Sequence, residues 1–126
     1  MKELIKDTGI YITYPKSTEE KSIYKAKDYK TKVNNQCTKI GIVETNFASR
    51  EKCYVDNFGD IVFQQIAIVD KVYLKEIEKR ILTEIKKEFK TVGWSREWFH
   101  TTNRERLIDI VRRVLAQNNI PCEIIF

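Results

Sequence analysis

The stretch CTKIGIVETNFASREKCY, residues 37 to 54, carries a strand, a cap and the start of a helix. Its first half alternates: Ile40 and Ile42 fall on one face of an extended segment, and Lys39, Gly41 and Val43 on the other. Asn46 supplies a side chain suited to capping, so a short helix is expected from about Phe47 to Val55. A half-buried strand that leads straight into a helix calls for sheet and helix packed together, and the flanking sequence repeats this pattern.

Upstream, GIYITY at 9–14 alternates in the same way, with Ile10, Ile12 and Tyr14 facing one side and Gly9, Tyr11 and Thr13 the other, before Pro15 ends the run. Residues 16–36 hold six lysines against three acids, which reads as a basic insertion: an exposed connection or a hairpin extension. Downstream of the turn DNFGD, IVFQQIAIV at 61–69 is apolar on both faces and is expected to be the central, doubly covered strand. Residues 71–90 show a helical stripe of Leu74, Ile77, Ile81, Leu82, Ile85 and Phe89, with Gly93 as the stop. Thr102 with Glu105 forms a capping-box pattern for a last helix whose apolar side is Leu107, Ile110, Val111, Val114 and Leu115. The tail CEIIF is expected to add a short edge strand. These elements predict one α+β domain over 1–126, with a three-stranded sheet flanked by helices and a C-terminal helix plus tail from about 102 to 126.

At 126 residues the chain is long enough for one hydrophobic core. Its charged fraction of 33% exceeds the usual quarter, and the net charge of +5 favours an anionic partner such as nucleic acid. Cys37, Cys53 and Cys122 lack the short spacing of zinc or redox motifs, which points to a reducing compartment. No apolar run reaches the length of a membrane span, and the first residues lack a signal-peptide core. A cytoplasmic protein without a membrane partner is therefore expected.

Three groups of residues could carry chemistry. On a wheel at ~100° per residue Glu78 falls within the apolar stripe of the long helix, where a charge must be paired or hold a metal; it is either an ion-paired residue at the end of the core or a functional carboxylate. Arg50 and Tyr54 stand four apart on one helical face, as a surface arginine stacked on a tyrosine or as a fork for a phosphate. If the first two strands pair, Tyr11 and Lys39 share a face with Gly9 and Gly41, whose small size leaves room for a substrate.

In order, Gly9-Ile10-Tyr11, Lys39-Ile40-Gly41, Arg50, Glu78 and Glu97-Trp98-Phe99 resemble the motifs of the GIY-YIG nuclease superfamily, in the branch with KIG and EWF common in phage and mobile-element proteins. The resemblance spans residues 9–99, with a long connection between the first two motifs and Leu82 where this branch often has histidine. It implies a small antiparallel sheet and metal-dependent hydrolysis of DNA phosphodiesters. Glu78 would hold Mg²⁺ or another divalent ion such as Mn²⁺, Arg50 the scissile phosphate, and Tyr11 the attacking water, with Lys39 and the metal lowering its pKa. Tyr54 would be a second acid/base or phosphate-contacting group, with Gly9 and Gly41 beside the substrate, and Trp98 and Phe99 as packing residues. The partner would be DNA, with a homodimer or a protein partner as further options. The alternative is a domain of this fold that binds DNA or protein without cutting, for example a phage protein acting on a host nuclease or defence system in the host cytoplasm.

Overall fold

A computed structural model describes residues 4–23 and 31–126. In chain order the elements are β1 (Gly9–Pro15), β2 (Lys21–Ser22), β3 (Lys32–Val33), β4 (Thr38–Val43), α1 (Phe47–Phe58), β5 (Ile61–Val69), α2 (Lys71–Lys86), β6 (Trp98–Phe99), α3 (Arg104–Gln117) and β7 (Cys122–Ile124). The class is α+β, but the main sheet has five antiparallel strands rather than three, in the order β6-β4-β1-β5-β7. The tail supplies β7, paired with β5, and the segment Trp98–Phe99 supplies β6, paired with Thr38 and Lys39. Two or three residues are too few for an alternating pattern, so such strands exist through their pairing rather than their own periodicity.

The central strand is β1, not β5. It is bonded to β4 on one side and to β5 on the other, and its residues 9–13 are all buried. Both strands carry apolar residues on both faces, so composition alone did not separate centre from flank. On one face Ile10, Ile12, Ile40 and Ile66 meet Leu74, Ile77, Ile81 and Ile85 of α2 and Leu107, Val111 and Val114 of α3 in the main core. On the other, Tyr11, Val43 and Phe63 meet Phe47 of α1, with Tyr54 packed alongside. Phe58 and Trp98 form a smaller cluster with Val33, Cys37 and Val92.

Asn46 caps α1 as expected, its Oδ1 accepting from Ser49 N at 2.9 Å. The cap of α3 is Asn103 rather than Thr102, its Oδ1 accepting from Arg106 N at 3.2 Å. The second helix ends at Lys86, ahead of Phe89, and Gly93 serves the following turn instead of the helix stop. The basic insertion is a hairpin at its base, β2 against β3, and Val33 is buried in the smaller cluster. Its residues 24–30 lie outside the described residues. No helix among the described residues is long and apolar enough to cross a membrane.

Candidate active site

The antiparallel register sets Tyr11 opposite Gly41 on one side and opposite Gln65 on the other. Directly opposite residues project to the same face, so all three lie toward α1. The register between β1 and β5 shifts between Ile10 and Tyr11, a bulge of the kind that re-aims a side chain. The glycine at 41 is required by this packing: a Cβ there would fall 2.4 Å from the Tyr11 hydroxyl and 2.5 Å from Cζ. At Gly9 a Cβ would meet the Ala67 carbonyl oxygen at 2.0 Å and the Phe47 ring at 2.9 Å. The room left by both glycines is thus taken up by the protein's own atoms.

Tyr11 is 1% exposed, and its ring stacks on Phe63 with centroids 4.8 Å apart. Its hydroxyl shares a 2.6 Å hydrogen bond with the Tyr54 hydroxyl from α1. Burial, then the neighbouring Tyr54, hold the Tyr11 pKa well above the ordinary tyrosine value, while Arg50 pulls the other way. The expectation that Lys39 depresses this pKa is not met by the protein's own groups: the net direction is upward, because a phenolate in this position would be desolvated. Gln65 is also buried, and its Nε2 has no hydrogen-bond partner among the described residues, a cost of about 1–3 kcal/mol carried beside Tyr11.

Lys39 links this tyrosine pair to the acids. Its Nζ lies 5.1 Å from the Tyr54 ring centroid and 3.0 Å from Glu97 Oε2. Burial acts to lower the Lys39 pKa, but Tyr54 and Glu97 outweigh it and the net shift is upward, so Lys39 stays charged. Glu97 directly precedes β6, and its carbonyl accepts from Ile40 N at 3.2 Å. The strand β6 covers β4 only at Thr38 and Lys39. The helix α2 packs on the face of the sheet that carries Ile40, and its Glu78 is near enough to Glu97 to feel that carboxylate.

The two carboxylates are close enough for Glu97 to act on the ionisation of Glu78. Burial raises the Glu78 pKa to about 7, with the neighbouring Glu97 carboxylate adding to the shift and Lys39 opposing it. Of the two readings left open for Glu78, an ion pair with a lysine or arginine is not seen among the described residues; after burial the largest influence on it is another acid, Glu97, with Lys39 opposing. Glu97 is the residue that sequence reasoning left out of the site. The only signal for it was its place in the Glu97-Trp98-Phe99 tripeptide, since nothing local in the sequence announces a contact with Glu78.

Arg50 joins Lys39, Cys53, Tyr54, Asn57, Phe58, Trp98 and Ile23 in lining a cleft of about 280 Å³. Its guanidinium makes no ion pair among the described residues. Tyr11, Tyr54, Lys39 and Glu97 are therefore linked in sequence by contacts, Glu78 lies near Glu97, and Arg50 lines the same cleft as Lys39 and Tyr54. Leu82 belongs to the main core, and His100 is exposed beyond β6.

No group of three or more His, Cys, Asp or Glu residues with metal-site spacing occurs among the described residues. The donor set that does exist is the Glu78–Glu97 pair. A half-buried carboxylate held protonated chiefly by burial, with a second carboxylate near it, suits a hard divalent cation, which takes oxygen ligands and which, for Mg²⁺, needs only one or two from protein. The arrangement can thus present two cations and a tyrosine hydroxyl to an anion while a carboxylate pair stands at the sheet edge. Scans against protein-family models, curated proteins and solved structures found no match.

Proposed function

We propose that the chain is a metal-dependent DNA endonuclease with a GIY-YIG-like site, hydrolysing phosphodiester bonds. The observation that carries this reading is the linkage, from five separate segments of chain, of two cations, two tyrosine hydroxyls and two carboxylates. No fold requirement explains that set, since an apolar pair would pack the same space at lower cost.

Arg50 would grip two oxygens of the scissile phosphate, a role suited to its planar fork and to its having no ion pair among the described residues. Lys39 would add positive charge at the same cleft. Tyr54, which lines the cleft, would present its hydroxyl to the attacking water or the phosphate, while buried Tyr11 holds that hydroxyl in place as a positioning residue. Glu78, with Glu97 beside it, would hold the magnesium or manganese ion. When bound, such an ion supplies charge that offsets the negative transition state.

A second reading, a binding module of this fold without cleavage, is favoured by the buried Tyr11 and by its upward-shifted pKa. Incubation of supercoiled plasmid with purified protein in Mg²⁺ or Mn²⁺ separates the two. Cleavage is expected for the parent protein and is expected to fall at least about 100-fold in Arg50→Ala and in Glu78→Gln, with melting temperatures close to the parent's. Absence of cleavage on supercoiled, linear, single-stranded and branched DNA, with salt-sensitive DNA binding retained, would select the binding module.

A further inference from the structure

The turn between α2 and β6 holds an indole out in solvent that the proposed chemistry does not use. Trp94 is 86% exposed, an unusual setting for the largest apolar side chain. The turn beneath it is tightly bonded. Gly93 takes φ 51°, the left-handed region open to glycine, and a Cβ there would lie 2.7 Å from Thr31 Oγ1. Val92 N donates to Trp98 O at 2.8 Å and Ser95 N to Val92 O at 2.9 Å. Ser95 Oγ accepts from Glu97 N and Trp98 N at 3.2 and 3.1 Å. The ring is therefore presented on an ordered base, at little further entropic cost to a ligand that covers it.

Next to Trp94 in the chain, an open hollow of about 560 Å³ is lined by Lys86, Phe89, Lys90, Thr91, Ser95 and Arg96. Its three cations make no ion pair among the described residues. We infer that this surface binds single-stranded DNA, with Trp94 stacking on an unpaired base and Lys86, Lys90 and Arg96 following the phosphates. An exposed aromatic face adjoining, along the chain, a hollow lined by cations without an ion pair among the described residues is the combination that single-strand binding requires. Stable protein interfaces deplete lysine at their centres, and a membrane anchor would need a broad exposed apolar face, whereas Phe89, the other apolar residue at the hollow, is partly buried against the main core. Duplex DNA hides its base faces, so the indole adds nothing to its binding.

This inference concerns binding and does not depend on cleavage. It is tested by fluorescence anisotropy with a labelled oligothymidylate, a blunt duplex of equal length, and vesicles of phosphatidylserine with phosphatidylcholine, all without divalent ions. The parent protein is expected to favour the single strand. Trp94→Ala is expected to weaken single-strand binding about tenfold with duplex binding unchanged, and Trp94→Phe to restore most of the loss. Replacing Lys86, Lys90 and Arg96 together by glutamine is expected to reduce the salt dependence of log K by about 2. Unchanged single-strand affinity in Trp94→Ala, or a Trp94 dependence seen only on vesicles, overturns the inference. A protein that cuts DNA but shows neither preference nor Trp94 dependence loses this surface and keeps the nuclease reading; one that shows both but cuts nothing does the reverse.

Discussion

At Glu78 a single ionisation links the site to stability. The ordinary pKa of 4.5 is raised in the folded protein to about 7, so between these values the folded state keeps a proton that the unfolded chain releases. Stability contributed by this group is therefore complete below about pH 4.5 and declines as pH rises to about 7. Glu78→Gln removes that decline. The variant is expected to match the parent in acid and to exceed it by about 1 kcal/mol above neutral pH, a figure reduced for the partial exposure of the carboxylate. Urea titrations across that range in the absence of divalent ions measure it, and a parent–variant gap that stays constant with pH would contradict the assignment. Gly41 makes a steric counterpart. A methyl group there would collide with the Tyr11 ring in the middle of the sheet, so Gly41→Ala is expected to cost about 1–3 kcal/mol. Because the clash includes the ring carbon Cζ as well as the hydroxyl, Tyr11→Phe should not rescue it; an alanine variant as stable as the parent would show that the ring can move aside.

Among the elements, α3 is tied to the sheet by its first residue. Arg104 donates from Nε to Thr38 Oγ1 at 2.8 Å and from an Nη to the Asn35 carbonyl at 2.8 Å, and its guanidinium lies 3.5 Å from the Tyr14 ring centroid. One side chain thus joins the start of α3 to the end of β1 and to the start of β4, the strand that carries Lys39 and Gly41. Arg104→Ala is expected to lower stability by about 1–3 kcal/mol, and Arg104→Lys to recover little of it, since an ammonium cannot reproduce the planar fork or the stacking. Denaturant midpoints decide this, and full recovery by lysine would mean that charge alone matters. The helix α1 is held differently, through Phe47 in the apolar layer and the Tyr11–Tyr54 hydrogen bond. Its amphipathic placement was legible from Phe47, Arg50 and Tyr54, whereas the hydroxyl contact that gives Tyr54 its orientation required β1 and α1 to be brought together.

Over the whole molecule, protection should follow the strand order. Backbone amides of β1 are bonded within a buried centre, while β7 is exposed at one edge and the β2–β3 hairpin has two residues a side. Native-state hydrogen exchange is expected to show the slowest amides in β1 and fast local opening in β7 and the hairpin; equal protection of β7 would refute this account of the core. The sequence by itself determined the strands β1, β4 and β5, the helices α2 and α3, and the faces on which Tyr11, Lys39 and Glu78 lie, because periods of 2 and 3.6 are written in neighbouring residues. Only the tertiary structure decided that β1 is central, that Trp98–Phe99 and the tail complete a five-stranded sheet, and that Glu97 comes near Glu78. Those outcomes depend on pairing between distant segments, where a two-residue strand has no pattern of its own and an acid's partner lies on another element.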